Sequence, residues 1–111
     1  MASGDFYHSK QWKRKREQIL RRDGYLCREM LRYGQRVEAT TVHHIWPLED
    51  HPEYALEDWN LLSLSDGANN KMHDRKTGKL TELGEWWKRH TPPPKRLGRK
   101  GYGTGEGKFF Q

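Results

Sequence analysis

The chain has 111 residues, which is enough for one small domain. Lys and Arg (21) outnumber Asp and Glu (15), so the formal net charge is +6 and the pI is near 9.6. This charge favours a polyanionic partner. A single cysteine excludes an internal disulfide, and no secretory signal or membrane-spanning apolar run is visible. We therefore expect a cytoplasmic protein without a membrane partner.

The charge is distributed unevenly along the chain. Residues 37–70 contain no Lys or Arg but seven acidic residues, whereas both flanking segments are strongly basic. Basic arms can attract a phosphate backbone, and a cation bound at the centre can then meet a phosphate. The alternative is that the arms are ordinary solvated surface.

The first predicted helix runs from Lys10 to about Arg22, with Ser9 as its cap and Asp23-Gly24 at its end. Its inward stripe consists of Trp12, Arg16, Ile19 and Leu20. We interpret the aromatic and aliphatic members of this stripe as core residues rather than base-stacking groups. The basic residues on the other faces can contact phosphates or stay solvated.

Two apolar runs, Val37–Ile45 and Trp59–Leu64, predict a small antiparallel strand pair. A proline-containing loop, in which we expect an exposed His51, joins them. Because neighbouring strand residues point to opposite faces, His43 and His44 must have different roles. One can face a metal ion while the other faces a substrate.

The next predicted helix is capped by Ser65 or Asp66 and ends near Gly78. Asn69 and His73 are four residues apart, so we expect both on one helical face. A last helix carries an apolar stripe of Leu80, Leu83, Trp86 and Trp87 and closes before Pro92. We expect one domain over residues 1–90, followed by a flexible, basic, Pro- and Gly-rich tail over residues 91–111.

Several of these segments carry spaced motifs that occur in one order. QWKRKREQILRRDGYLC (residues 11–27) is followed by VHHIWP (42–47), WNLLSL (59–64) and DGANNKMH (66–73). In this order they resemble the HNH endonuclease family of bacteriophage type. That family combines a strand ending in His-His-Ile-Pro, an Asn-Leu strand and a Cys-His-Asn-x-x-His helix. The resemblance implies an α+β fold, with a small ββα-metal (His-Me finger) core between an N-terminal and a C-terminal helix.

The resemblance also implies roles for the polar residues of these motifs. His44 would be the general base that deprotonates the attacking water, and Asn60 would hold the catalytic loop and orient it. His43 and His73 would bind one divalent metal ion. Asn69 lies where many relatives have a ligand histidine. An amide oxygen suits Mg²⁺, Mn²⁺ or Ni²⁺ better than Zn²⁺, although Zn²⁺ stays among the candidates.

Many phage-type relatives also carry a structural zinc bound by two Cys-x-x-Cys pairs. The matching positions here are Cys27, Met30, Ser65 and Ala68, so three of the four ligands are absent. A closed zinc site needs about four nitrogen or sulfur ligands. We therefore expect no structural zinc, a buried Cys27, and apolar packing by Tyr25, Leu26 and Met30 in its place.

The resulting hypothesis is a metal-dependent endonuclease that nicks or cuts DNA with little sequence preference. The basic residues predicted to contact DNA are Arg14, Lys15, Arg21, Arg22, Lys71 and Arg75. The resemblance further implies a role in phage DNA packaging inside the bacterial host, with a terminase as a candidate partner, and we expect a monomer or weak dimer. The alternatives are a catalytically weak DNA-binding module and a structural component of a packaging complex.

Overall fold

The computed structural model describes residues 3–95, with side chains from residue 5 onward. In chain order the helices and strands are α1 (Ser3–Tyr7), α2 (Lys10–Arg22), α3 (Arg28–Leu31), β1 (Thr41–His44), β2 (Leu61–Leu64), α4 (Asp66–Asn70) and α5 (Glu82–Arg89). Two 3₁₀ turns, Pro52–Tyr54 and Asp58–Asn60, lie in the loop between the strands. None of the helices within residues 3–95 is long and apolar enough to cross a membrane.

The two strands pair antiparallel, as predicted, with His43 opposite Leu62 and His44 opposite Leu61. Both are shorter than predicted. Val37 and Ala39 instead bond to the backbone of residues 25–27, where an isolated bridge also joins Leu26 and Glu38. The start of the predicted second strand lies in the turn Asp58–Asn60. Each strand therefore keeps four residues.

Helix α2 has the predicted bounds, because the Ser9 hydroxyl accepts a hydrogen bond from the Trp12 backbone N–H at 3.1 Å. Its buried side chains pack on one face of the strand pair. This first core contains Trp12, Ile19, Leu20, Ala39, Val42 and Leu61. A second core on the other face contains Cys27, Ile45, Leu62, Leu64, Ala68, Met72 and Trp87. The alternation of strand residues thus sends neighbouring side chains to different cores.

The predicted long helix after Ser65 is wrong in its extent, because α4 ends at Asn70. The Asp74 carboxylate accepts hydrogen bonds from the backbone N–H groups of Lys76 (2.8 Å) and Thr77 (3.0 Å). This Asx-type turn competes with helical hydrogen bonds. His73 therefore lies beyond the helix, in an isolated bridge with Leu80, and does not share a helical face with Asn69.

The region that holds a zinc site in many relatives is filled by protein groups here. Cys27 is fully buried, as predicted, and Met30 packs against the same core. Glu29, which sequence reasoning missed, is also buried and accepts a hydrogen bond from the Trp87 indole at 2.9 Å. The prediction for Tyr25 is wrong: its ring is 42% exposed, because its hydroxyl reaches Glu17 on the surface.

The first residues of the predicted tail contact the domain. The Thr91 carbonyl accepts a hydrogen bond from the Trp46 indole at 2.7 Å. Pro93, Pro94 and Lys95 line a surface cavity together with Tyr54 and Trp59. Residues 96–111 lie outside the described part of the chain, so the flexibility of the tail and the domain boundary stay predictions.

Candidate metal centre and active site

His43 presents a buried ring nitrogen that is available for a ligand. The ring is 3% exposed, and its Nε2 atom has no hydrogen-bond partner among the described residues. Burial, followed by the nearby His73 and His44, lowers the pKa of His43 to about 3. The ring is therefore neutral at physiological pH. A buried, unpartnered imidazole nitrogen is unfavourable unless something binds it. A neutral imidazole nitrogen of this kind can bind a metal ion, and histidine is the commonest metal ligand in proteins.

His73 faces this ring from the other side. The two ring centroids are 5.2 Å apart, with an edge-to-face angle of 70°. Burial lowers the pKa of His73 as well. The two predicted histidine ligands thus lie together. His73 reaches this position from the turn after α4, whereas the prediction placed it on the helix.

Asn69 lines the same cleft as these two histidines, and the cleft has a volume of about 430 Å³. Within residues 3–95 no group of three or more His, Cys, Asp and Glu side chains is close enough to hold a metal ion. Two histidines therefore have to be completed by an amide oxygen, water or substrate. A divalent ion of the Mg²⁺, Mn²⁺ or Ni²⁺ type suits such a mixed nitrogen and oxygen set. The residues present fit a divalent metal ion.

His44 points to the opposite face of the strand but still lines the cleft. Its Nε2 atom lies 2.9 Å from the Ala55 carbonyl oxygen, so in this geometry Nε2 carries the proton and donates it. The lone pair of the neutral ring is therefore on Nδ1. The Trp12 ring stacks on the imidazole at 5.0 Å and 23°. Burial lowers the pKa of His44, and the hydrogen bond to Ala55 acts in the opposite direction.

Asn60 is fully buried and connects the two ends of the loop between the strands. Its Oδ1 atom accepts from the Trp46 N–H at 2.7 Å, and its Nδ2 atom donates to the carbonyls of Trp46 (3.1 Å) and Tyr54 (3.2 Å). Tyr54 directly precedes Ala55, whose carbonyl holds His44. The amide therefore fixes the loop that orients the imidazole.

The six basic residues predicted to contact DNA differ in their surroundings. Arg14, Arg21, Arg22, Lys71 and Arg75 are exposed, and Arg21 forms an ion pair with Glu17 at 3.5 Å. Lys15 forms a salt bridge with Asp58 at 2.5 Å. Arg22 donates to Asp23 and to the carbonyls of Asp58 and Leu61. The last two basic residues thus hold the loop to α2, and DNA contact by any of the six stays a prediction.

Sequence reasoning assigned no role in the cleft to Tyr7 and Glu49, which also line it. Tyr7 is 37 positions from His44 in the chain, so no local spacing connects them. The expectation for His51 is also corrected. Its ring is half-buried and stacks on Tyr54 at 5.3 Å and 13°, because the loop folds on itself.

These features define the ββα-metal class of proteins. They are an antiparallel strand pair, a short helix, two facing imidazoles, and a third imidazole oriented by the loop. Comparison with solved structures gives a match of this class. It is the HNH endonuclease of the deep-sea thermophilic bacteriophage GVE2, crystallised with manganese ion. It is 37% identical, with a TM-score of 0.60, and the match covers 61% of this chain and 74% of that one. No protein-family model and no curated protein matches the chain.

The chain belongs to the HNH endonuclease family. The predicted α+β fold with a ββα-metal core is confirmed. The match also supports a divalent metal ion, since the related endonuclease was crystallised with manganese.

Proposed function

We propose that this protein is a metal-dependent endonuclease that hydrolyses DNA phosphodiester bonds. The observation that carries the proposal is that two adjacent histidines are suited to different chemical roles. His43 offers an unpartnered, neutral nitrogen beside His73, while the hydrogen bond from His44 to Ala55 leaves Nδ1 with a lone pair. A DNA-binding module would need neither arrangement.

His43 and His73 would hold the ion, and Asn69 would supply an oxygen ligand. When bound, a divalent cation supplies positive charge to a phosphate oxygen and to the departing oxygen, where negative charge grows in the transition state. The amide at position 69 favours Mg²⁺, Mn²⁺ or Ni²⁺ over Zn²⁺.

His44 would act as the general base. A water molecule at Nδ1 transfers one proton to this nitrogen while its oxygen forms a bond to phosphorus. The bond between phosphorus and the 3′ oxygen breaks, so the products are a 3′-hydroxyl, which takes a proton from solvent, and a 5′-phosphate. Asn60 contributes by keeping Ala55, and through it the His44 ring, in one orientation.

DNA binding would rest on phosphate contacts. The exposed Arg14, Arg21, Lys71 and Arg75 carry charge without base specificity. We therefore expect weak sequence preference and an affinity that falls steeply with salt. A role in phage DNA packaging, contact with a terminase, and a monomeric or weakly dimeric state remain further proposals from the family resemblance.

The proposal is tested by plasmid nicking with Mg²⁺, Mn²⁺, Ni²⁺ and Zn²⁺ in turn. Wild type should nick with at least one ion, and His44→Ala should lose activity on the order of 100-fold or more, which is the usual contribution of a general base. His90→Ala, at an exposed site, is the matched histidine control and should retain activity. A protein that shifts DNA in a gel but nicks with none of the four ions would instead be a DNA-binding module.

A further inference from the structure

The nitrogen that would accept the water's proton has a neighbour with no assigned role. The Tyr7 hydroxyl lies 3.4 Å from Nδ1 of His44. Nδ1 is the nitrogen that the hydrogen bond to Ala55 leaves with its lone pair. Tyr7 also lines the cleft that holds His43 and His73. Its hydroxyl is therefore on the side of the imidazole where a nucleophile would have to sit.

The position of this hydroxyl is set by packing of the N-terminal segment. The Tyr7 ring makes edge-to-face contacts with Phe6 (5.3 Å) and Trp12 (5.5 Å). The turn between α1 and α2 is closed by Ser9, whose hydroxyl donates to the Phe6 carbonyl at 2.7 Å. Trp12 in turn stacks on His44. The Tyr7 ring and the His44 imidazole thus belong to one aromatic cluster, which fixes their positions relative to each other.

The hydroxyl also keeps its proton. Although Tyr7 as a whole is 41% exposed, partial burial and then the negative charge of Glu49 raise its pKa, so at physiological pH it is a neutral phenol that can both donate and accept hydrogen bonds. The 3.4 Å separation from Nδ1 exceeds the usual length of a strong direct hydrogen bond from a hydroxyl. A water molecule that donates to Nδ1 would lie within reach of both groups.

We propose that Tyr7 is a positioning residue that holds the attacking water against His44. This inference rests on the proposed nuclease function. The Tyr7 hydroxyl donates a hydrogen bond to the water oxygen while the water donates one proton to Nδ1. As that proton moves to His44, negative charge develops on the water oxygen, and the hydrogen bond from Tyr7 strengthens. Tyr7 itself neither gains nor loses a proton.

The test compares Tyr7→Phe with wild type, and uses Tyr33→Phe as the matched control. Tyr33 is 65% exposed, and its hydroxyl contacts Arg32 rather than a site residue. Plasmid nicking should show a kcat about tenfold lower for Tyr7→Phe, the effect of one lost hydrogen bond to a developing charge. The KM for DNA should be unchanged, because the hydroxyl contacts no proposed phosphate-binding group.

Two measurements that do not depend on turnover accompany the kinetics. The affinity for Mn²⁺, measured calorimetrically, should be unchanged in Tyr7→Phe, because Tyr7 is not a proposed ligand. The ¹⁵N resonance of His44 Nδ1 should move when the hydroxyl is removed and stay in place in Tyr33→Phe. Tyr7→Leu, which removes the ring as well, separates packing from hydrogen bonding and should lose more activity than Tyr7→Phe.

The inference is overturned if Tyr7→Phe nicks like wild type or faster, since a faster variant would mean that the hydroxyl obstructs the base. It is also overturned if the Nδ1 resonance does not move, or if only Tyr7→Leu loses activity. In each of these cases a wild type that nicks, with an inactive His44→Ala, leaves the proposed function standing. A wild type that nicks with none of the four ions removes both.

Discussion

Replacing Asn60 by alanine should destabilise the protein and misalign its base at the same time. The side chain is fully buried and makes three hydrogen bonds of 2.7, 3.1 and 3.2 Å to the backbone of Trp46 and Tyr54. A hydrogen bond contributes roughly 0.5–1.5 kcal/mol net. The loss of three therefore lowers the free energy of unfolding by about 3 kcal/mol.

Asn60→Asp tests the same geometry in a different way, because aspartate has nearly the same volume. Its carboxylate can still accept from the Trp46 N–H but cannot donate to the two carbonyl oxygens. It would then place negative charge against both of them in a buried site. We expect this variant to lose at least as much stability as Asn60→Ala. The control is Asn70→Ala, an exposed asparagine at the end of α4.

The assay is urea unfolding of the metal-free protein, followed by plasmid nicking at a temperature where each variant is fully folded. Folded Asn60→Ala should show a lower kcat, since the loop no longer orients His44 through Ala55. The reasoning is refuted if Asn60→Ala loses less than about 1 kcal/mol, below the value expected for three buried hydrogen bonds. Wild-type kcat in the folded variant would refute the link from Asn60 to the base.

Three further outcomes are expected. The metal-free protein should lose stability as the pH falls below about 6.5, the reference pKa of histidine. His43 has its pKa lowered to about 3 in the folded state, so between these two pH values it gains a proton only on unfolding. Each such histidine lowers the free energy of unfolding by up to about 1.4 kcal/mol per pH unit, which urea unfolding measures. Asn69→His should raise Zn²⁺ affinity on the order of tenfold, by calorimetry, because imidazole is the better zinc ligand. Gly84→Ala should lower the free energy of unfolding by about 1–3 kcal/mol, because a methyl group would lie 2.5 Å from the Met72 carbonyl oxygen.

Each of these outcomes has a contrasting variant. His43→Asn should reduce the slope of stability against pH, with a remaining slope from His44 and His73, whose pKa values are also lowered. An unchanged slope would contradict the assignment. Asn70→His, outside the predicted ligand set, should leave the Zn²⁺ affinity as it is. Gly67→Ala lies at an exposed position of α4, where nothing is within 4 Å of the added methyl, and should be neutral or slightly stabilising. Equal losses in both glycine variants would refute the steric argument.

Features that depend on neighbours in the chain could be predicted from the sequence. The bounds of α2 followed from Ser9 and the Asp23-Gly24 pair, because capping bonds join residues three or four positions apart. The opposite orientations of His43 and His44 followed from strand alternation alone. The antiparallel pairing of their strand was predicted from composition. The burial of Cys27 was predicted from the family resemblance, because three of the four ligands of the relatives' zinc site are absent.

The lengths of the elements could not be predicted in the same way. The helix after Ser65 stops at Asn70 instead of near Gly78. The carbonyls of Lys71 and Met72 accept hydrogen bonds from the Thr81 hydroxyl and N–H, and the Asp74 side chain takes the N–H groups of Lys76 and Thr77. The strand before His43 loses its first residues to pairing with residues 25–27. In both places the local preference for a helix or a strand competes with hydrogen bonds to other parts of the chain. Only the packing of the folded chain decides which of the two forms.

The sequence by itself determined which side chains are available for chemistry, since the motifs place three imidazoles and two amides in a single short region. The tertiary structure decided which nitrogen of His44 keeps its lone pair, and which hydroxyl stands beside it. Those two facts depend on a carbonyl 11 residues away and a tyrosine 37 residues away. The physical reason is that hydrogen-bond direction is set by where the folded chain brings distant groups together, and no local periodicity records it.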